Sequence, residues 1–239
     1  SAPVFSQNLP IRQYLISPSI DPLSDKNKEL SPEVISSVLN KHGIEKNKPI
    51  ITQISRYDFL KDPIGVIEAF KLARTRINCQ LILAGNTATD DPEHNKVLDM
   101  VKEKANNDPD IHILVIEPFN NDIEVNALQR ASDVIIQKSL REGFGLTVSE
   151  ALWKKKPVIA GAAGGIPLQI RHKYSGVLTH TIEGTAYWIK QLLNSPTYAK
   201  QLGINGHEHV KNNFLLTRHI REYFLMFLSL YYSDDIIHL

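Results

Sequence analysis

The pattern of apolar and polar positions becomes regular from Pro49 onwards. Short runs rich in β-branched residues alternate with longer amphipathic segments, an order typical of strands and crossover helices in a parallel sheet. The predicted strands are 50–54, 80–84, 111–115, 134–136, 157–160 and 176–178, and the predicted helices are 64–76, 93–106, 123–131, 147–154, 168–172, 182–193, 196–213 and 216–231. The pattern therefore predicts an α/β fold with a doubly wound parallel sheet of about six strands. Ligands of such sheets bind outside the carboxyl ends of the strands.

The two ends of the chain differ from this regular middle. Residues 1–30 contain several prolines and only short apolar runs, so we interpret them as a connector rather than an independent unit. Ser31 followed by Pro32 is a typical helix start, with a side-chain cap and a proline in the first turn. We therefore expect a connector at 1–30, a Rossmann-like domain at 31–215, and a C-terminal helix with its tail at 216–239.

Composition narrows the classes of function. The chain has 239 residues and 42% hydrophobic content, which is enough for a packed core. Its 27 basic and 26 acidic side chains give a net charge of +1, so no overall field attracts nucleic acid or an anionic membrane. The only cysteine, Cys79, rules out an internal disulfide and is expected to be a packing residue in a reducing compartment.

The sequence also bears on location and completeness. No apolar run reaches the roughly 18 residues that cross a bilayer, and no signal-peptide pattern opens the chain. We therefore expect a cytoplasmic protein without nucleic-acid or membrane partners. The first residue, Ser1, is not methionine, so we expect a piece of a longer protein.

Residues 141–150 combine the features of a nucleotide site. An apolar run leads into Glu142, Gly143 and Gly145, and a helix is predicted to follow. Both glycines are expected to permit positive φ and a close approach to a ligand. The amides of Leu146 and Thr147 would then face an anion at the helix N-terminus.

Glu150 has an alternative interpretation at this point. Thr147 and Glu150 have the spacing of a capping box, in which both side chains bond to free amides of the first turn. Glu150 could therefore be purely structural. Glu142 precedes a loop glycine and has no comparable structural explanation.

The loop after the first predicted strand carries two cations. Arg56 and Lys61 are five positions apart and could converge on one diphosphate, the guanidinium as a fork and the ammonium as a point charge. Taken alone, such residues are more often solvated charges. The two glutamates downstream favour the binding role.

Two further loops are candidates for the same site. Gly85 ends the second predicted strand, where it is either a plain tight turn or part of the site. The loop beginning at Glu117 follows the third strand and could contact a nucleotide base through its backbone. In the loop after the fifth predicted strand, Pro167 is followed by Leu168 and Gln169.

The spacing of two glutamates separated by seven residues resembles the signature of the family 4 retaining glycosyltransferases, which have the GT-B fold. The residues around it, 137–141 and 151–153, are similar to those of the trehalose glycosyltransferring synthases within that family. The Ser55-Arg56 pair followed by Lys61 also matches the family pattern. Many members carry a glutamate soon after the proline matched by Pro167, and the departure at Leu168-Gln169 is shared by the trehalose type.

The resemblance implies specific roles. Glu142 would contact the donor sugar and Glu150 the ribose, while Arg56 and Lys61 would bind the diphosphate and stabilise its departure. Gly85 would line the site. The donor would be UDP-glucose or ADP-glucose, with no metal or other cofactor required, and the acceptor would be glucose, which gives trehalose.

The match covers only the donor-binding half of such an enzyme, roughly residues 31–215. The N-terminal acceptor-binding domain would be missing, and the chain alone would bind donor without efficient catalysis. The helix at 216–231 would leave an apolar face uncovered, so a homo-oligomer is possible. Alternatives are another family 4 transferase, which makes sucrose phosphate, a glycan or a glycolipid, and a non-catalytic sugar-nucleotide-binding module. The two-glutamate spacing disfavours a sugar-nucleotide epimerase.

Overall fold

The computed structural model describes residues 13–86, 92–117 and 121–232. The strands are β1 (Ile50–Ile54), β2 (Gln80–Asn86), β3 (Ile111–Ile116), β4 (Val134–Gln137), β5 (Val158–Gly161) and β6 (Val177–Thr179). The helices are α1 (Pro32–Lys41), α2 (Pro63–Arg74), α3 (Pro92–Ala105), α4 (Asp122–Ala131), α5 (Leu146–Trp153), α6 (Ile166–Gln169), α7 (Ile182–Asn194), α8 (Pro196–Asn213) and α9 (Leu216–Tyr231). The six strands form one parallel sheet, which confirms the predicted fold class.

The strand order places the candidate residues at a switch point. The sheet runs β3-β2-β1-β4-β5-β6, so the chain winds outwards in one direction from β1 and in the other from β4. The loops that leave β1 and β4 diverge to opposite faces of the sheet and open a crevice at its carboxyl edge. Arg56 and Lys61 follow β1, and Glu142 follows β4.

Alternation along the strands supplies a core on each face. In β2, Leu81 and Leu83 join a cluster with α2, α3 and α7, whereas Ile82 faces α1 and α4. In β4, Ile135 packs with α5, α6 and α8 on the same side as Ile82. Both faces of the sheet are therefore covered by helices, which explains why the strands appear in the sequence as continuous apolar runs. Cys79 is buried in the first cluster, and burial raises the pKa of its thiol to about 11, as expected of a packing residue.

The predicted starts and ends of elements need two corrections. The helix expected at 168–172 is wrong, because Pro167 lies in its first turn and Ile170 is already extended, so α6 spans Ile166–Gln169. Strand β2 also continues two residues beyond its predicted end, to Asn86. The Ser31 cap is confirmed, since its hydroxyl accepts a hydrogen bond from the amide of Val34 at 3.5 Å.

The N-terminal segment and α9 lie together. Ile20 pairs with Leu215 in a parallel bridge and is buried beside Phe214. Helix α9 leaves much of its apolar face exposed, including Phe224 at 64%, as expected from the sequence. None of the helices in the described ranges combines the length and apolar character that crossing a bilayer requires.

Candidate active site

A 3-10 helix at Phe59–Lys61 positions the Lys61 side chain. The Asp58 carboxylate accepts a hydrogen bond from the Lys61 amide at 3.0 Å and caps this turn. Gln53, in β1, donates its side-chain amide to the Lys61 carbonyl at 2.7 Å. The backbone of Lys61 is therefore fixed by two side chains, and its ammonium is directed towards the loop after β4.

Glu142 is held by three donors. Its Oε2 accepts from the Lys61 ammonium at 2.6 Å and from the Ser139 hydroxyl at 3.0 Å. Its Oε1 accepts from the amide of Gly143 at 3.2 Å. The Lys61 and Glu142 side chains are only 16% and 11% exposed, so each charge depends on the other for compensation. The sequence singled out both residues but did not predict this ion pair, nor the contribution of Ser139.

The loop after β5 supports the Glu142 loop from behind. The Gly165 amide donates to the Gly143 carbonyl at 2.7 Å. Gly164 has φ +53°, and a Cβ at this position would overlap the carbonyl oxygen of Glu142. Gln169 adds a second connection, because its amide donates to the Phe144 carbonyl at 2.5 Å and accepts from the Ser149 hydroxyl at 2.6 Å. Gln169 thus has a structural role, because it connects the Glu142 loop to α5.

The N-terminus of α5 opens towards the same edge of the sheet. Its cap residue is Gly145, in the left-handed region at φ 84°, with no side-chain cap hydrogen bond. The amides of Leu146 and Thr147 lie in the first turn, where a helix offers them no internal acceptor. The helix therefore presents amides and the positive end of its dipole, as predicted for an anion site.

The capping-box interpretation of Glu150 is wrong. Thr147 is already within the helix, so its hydroxyl is not the N-cap of α5. The Glu150 side chain is instead buried, with 8% of its surface exposed, and lies 3.8 Å from the Lys26 ammonium. Burial raises the pKa of the Glu150 carboxyl, while the ammonium groups of Lys26 and Lys154 act to lower it.

Two cavities meet at Arg56. The Glu142 cavity, about 360 Å³, is lined by Arg56, Asp58, Leu60, Lys61, Arg141, Glu142 and Gly143. The Glu150 cavity, about 200 Å³, is lined by Lys26, Ile54, Ser55, Arg56, Gly85, Asn86, Ile116, Asn121, Val125, Thr147 and Glu150. Arg56 lines both and is 66% exposed, paired with Asp58 at 3.3 Å. The two glutamates therefore face separate cavities with a guanidinium between them.

Two glycine predictions need correction. Gly85 is not a tight turn, since it pairs with Val115 within the sheet. Its lack of a side chain matters for packing, because a Cβ would overlap the Ser55 carbonyl oxygen. Gly143 does not adopt the positive φ expected of it, whereas Gly145 does. Gly85, Gly143 and Gly145 still lie in or beside the two cavities.

Lys26 is a cavity residue that sequence reasoning missed. It belongs to the segment interpreted as a connector, and nothing local to it indicates a contact with a residue 124 positions away. The segment 25–29, named here the strap, packs on α4 and α5. Asn27 on the same segment is buried, but its burial follows from the packing of the strap and leaves no signal in the sequence.

Two other expectations concern a base-contacting loop and a metal ion. The possible base-contacting loop begins at Glu117, but Pro118 and Phe119 lie outside the described residues. Within the described ranges, no group of three or more His, Cys, Asp or Glu side chains is arranged to hold a metal ion.

Comparison with known proteins gives matches over most of the chain. The family described as Glycosyl transferases group 1 matches residues 35–209. The trehalose synthase of Rubrobacter xylanophilus is 43% identical over 217 residues, covering 90% of this chain and 52% of the relative. The chain thus spans about half the length of the curated relatives it matches.

Solved structures share the fold over a similar extent. A glycosyltransferase from Rickettsia africae superposes with a TM-score of 0.76 at 25% identity, covering 91% of this chain and 56% of that one. Anabaena HepE in complex with UDP-glucose gives a TM-score of 0.69 at 22% identity, covering 84% of this chain and 54% of that one. Each neighbour is therefore about twice as long as the region it shares with this chain.

Proposed function

This chain belongs to the group 1 glycosyl transferases, and we propose that it is the donor-binding half of a retaining enzyme that transfers glucose from a nucleoside diphosphate glucose. The observation that carries the proposal is the placement of Glu142 and Glu150 in two cavities that meet at Arg56. A sugar nucleotide has the same order of parts, with a sugar and a ribose joined by a diphosphate. Binding of UDP-glucose by HepE, a structural neighbour, supports this class of ligand.

In this proposal the diphosphate lies beside Arg56, Lys61 and the N-terminus of α5. An ammonium has three N–H donors, and Lys61 uses one on Glu142, so it can contact a phosphate while it stays paired. The Arg56 guanidinium, exposed at the boundary of the cavities, supplies a second cation. The amides of Leu146 and Thr147 complete the anion site.

The proposed glucosyl transfer depends on stabilising the negative charge that develops on the leaving diphosphate. As the bond between the anomeric carbon and the diphosphate oxygen breaks, both electrons remain on the leaving oxygen. The acceptor hydroxyl oxygen forms the new bond on the same face, and its proton passes to the departing diphosphate. Arg56, Lys61 and the α5 amides stabilise the departing diphosphate, the preorganised electrostatic contribution that commonly dominates catalysis. Glu142 orients the sugar hydroxyls and Glu150 the ribose hydroxyls.

The proposed acceptor is glucose and the product trehalose. Support comes from the 43% identity to the trehalose synthase of Rubrobacter xylanophilus, which favours trehalose over sucrose phosphate, glycan or glycolipid products. The acceptor site would belong to a second domain that faces the carboxyl edge of the sheet. The exposed apolar face of α9 is the surface proposed to pack against it.

Calorimetric titration with UDP-glucose, ADP-glucose, UDP and ADP tests donor binding. We expect Arg56→Ala to weaken the binding of both ligands that carry the preferred base, the sugar nucleotide and the nucleoside diphosphate. The expected loss in affinity is about tenfold or more, the value of a charge-assisted hydrogen bond. Glu142→Ala should weaken only the sugar nucleotide. Glu142→Ala also releases Lys61 from its partner, so the nucleoside diphosphate should bind to this variant at least as tightly as to the wild type.

Arg76→Ala is the matched control, since Arg76 is exposed near the opposite edge of the sheet. Equal losses for Arg56→Ala and Arg76→Ala would contradict the proposed site, as would a wild-type chain that binds none of the four ligands. Incubating the full-length protein with donor and glucose, followed by NMR of the product, tests the acceptor. A product other than trehalose, or no transfer with intact donor binding, would favour one of the alternatives.

A further inference from the structure

Lys26 joins the strap (residues 25–29) to the Glu150 cavity. Its ammonium lies 3.8 Å from Glu150 and 3.9 Å from Asp122, and its side chain is 37% exposed. It lines the cavity together with Thr147 and Glu150. The strap lies outside residues 35–209, the range matched by the family, so this cation is supplied by a segment that the family match does not include.

The strap is fixed in place rather than resting loosely on the surface. The Asn126 amide donates to the carbonyls of Asp25 and Lys28, each at 2.8 Å. Arg130 donates to the carbonyls of Asn27 at 3.1 Å and Lys28 at 2.9 Å. Two side chains of α4 thus hold the backbone on both sides of Lys26, and the ammonium is presented to the cavity from a defined position.

A second lysine reaches the strap from α5. The Lys154 ammonium is buried and donates to the Asn27 side-chain oxygen at 3.0 Å and to the Glu150 carbonyl at 3.2 Å. The charged groups that act on Glu150 are therefore Lys26 from the strap, Lys154 from the C-terminal cap of α5 and Asp122 from α4. Of the two cations, Lys26 is the one that lines the Glu150 cavity.

Ribose recognition places a demand on Glu150. An ionised carboxylate only accepts hydrogen bonds, so it can receive both vicinal hydroxyls of a ribose, whereas a protonated one must donate at one oxygen. Burial favours the protonated form of the Glu150 carboxyl and raises its pKa. A nearby ammonium opposes this effect. The cavity therefore needs a cation to keep its hydroxyl acceptor ionised.

We propose that Lys26 holds Glu150 in the ionised form that accepts two ribose hydroxyls, and so determines the preference of the site for a ribonucleotide over its 2′-deoxy form. This role rests on the proposed function, because it assumes that the Glu150 cavity receives the nucleoside. Lys26 acts through Glu150 and is a positioning residue. The strap is then part of the donor site rather than a passive connector.

The first test uses nucleotide binding to the 239-residue chain. Calorimetry with UDP, dUDP, ADP and dADP gives the ratio of ribo to deoxyribo affinity in wild type, Lys26→Met and Lys26→Arg. We expect Lys26→Met to lower this ratio by about tenfold, equivalent to one hydrogen bond to a charged group. The loss should come from the ribonucleotide and grow as the pH is lowered, because the carboxyl protonates as the pH falls through its raised pKa. Lys26→Arg should retain the wild-type ratio.

Lys28→Met is the matched control. Lys28 lies in the same strap, but its ammonium pairs with Asp25 at 2.5 Å and both side chains are largely exposed. Its backbone carbonyl, which anchors the strap, is unchanged by the substitution. A similar fall in the affinity ratio for Lys28→Met would assign the effect to strap stability rather than to the Lys26 charge, and would overturn the proposal.

The second test needs no nucleotide. An NMR titration of the Glu150 side-chain carboxyl, assigned with Glu150→Gln, reports its ionisation in the free chain. We expect Lys26→Met to raise the pKa of Glu150 further, because a nearby opposite charge that favours the ionised carboxylate is removed. An unchanged titration overturns the role of Lys26 whatever binds in the cavity. If the carboxyl shifts as expected but the wild type binds no nucleotide, the proposed function fails and the ionisation role of Lys26 stands.

Discussion

Glu142 and Glu150 are nearly equally buried, yet their surroundings differ. Glu142 receives an ammonium, a hydroxyl and an amide at 2.6, 3.0 and 3.2 Å. Glu150 has an ion pair of 3.8 Å, which is longer than a hydrogen bond, and burial raises the pKa of its carboxyl. Glu142 is therefore fixed before a ligand arrives, whereas Glu150 retains acceptor capacity for a ligand to use. The comparison indicates that the Glu142 side of the site is preorganised by short contacts and the Glu150 side by charge.

The largest expected effect comes from disturbing the loop behind Glu142. Gly164→Ala places a Cβ against the Glu142 carbonyl in a left-handed conformation. We expect it to lower the free energy of unfolding by about 3 kcal/mol, since backbone strain and overlap with a main-chain atom add. Urea denaturation measures this change, and weaker UDP-glucose binding should accompany it because Glu142 moves.

Gly143→Ala is the natural control for that prediction. A Cβ on Gly143 meets nothing within 4 Å, and its φ is not positive. The stability change should stay below about 1 kcal/mol, the usual range for an unstrained surface substitution. Equal destabilisation by the two alanines would show that the Glu142 loop does not depend on the loop after β5.

The contrast between local and distant contacts also explains what the sequence could predict. The strands and crossover helices follow from apolar runs and caps such as Ser31, because those signals lie within a few residues of each other. The role of Gly85 does not, since it depends on the approach of the Ser55 carbonyl from a neighbouring strand end. Of the two interpretations of Gly85, a tight turn or a part of the site, the tight turn is wrong. A glycine beside a strand end gives the same local sequence pattern in both cases.

In the site, too, local motifs could be predicted from the sequence but contacts between distant residues could not. Glu142 and Lys61 could be singled out from their motifs, but their mutual ion pair could not, because 81 positions separate them. Thr147 and Glu150 showed a capping-box spacing that the left-handed Gly145 overrides by starting the helix earlier. Lys26 gave no local signal at all. Its place depends on the buried amides and carbonyls that fold the strap onto α4.

The next prediction compares the two ion pairs directly. Lys61→Met leaves a Glu142 charge that is 11% exposed with two neutral donors, so we expect a loss of about 2 kcal/mol in the free energy of unfolding. Lys26→Met removes a longer contact to a 37% exposed lysine, and its effect should be below about 1 kcal/mol. We expect the two losses of stability to differ because the Lys61–Glu142 pair is shorter and less exposed to solvent than the Lys26–Glu150 pair.

A double substitution decides whether the cost at Lys61 is electrostatic. Lys61→Met with Glu142→Gln removes both charges and should recover most of the stability lost by Lys61→Met alone. Urea denaturation of the wild type, the two single variants and the double variant measures the coupling. If the loss of stability in the double variant equals the sum of the two single losses, the Lys61 effect comes from lost packing. The electrostatic difference between the Glu142 and Glu150 sides is then smaller than the two ion-pair distances imply.

A pH dependence is expected on the Glu150 side. Burial lowers the pKa of Lys154 from its ordinary value of 10.5 to about 7. Between these values the unfolded chain binds a proton that the folded chain does not, so stability rises with pH, by at most about 1.4 kcal/mol per unit from this group. Lys154→Met removes the contribution, and its stability relative to wild type should fall as the pH increases from about 7.5 to 9.5. Lys155→Met, an exposed neighbour, should follow the wild-type slope. Denaturation curves that remain parallel for wild type and Lys154→Met would mean that Lys154 keeps its charge when folded, and that the strap side of the site tolerates a buried ammonium beside Glu150.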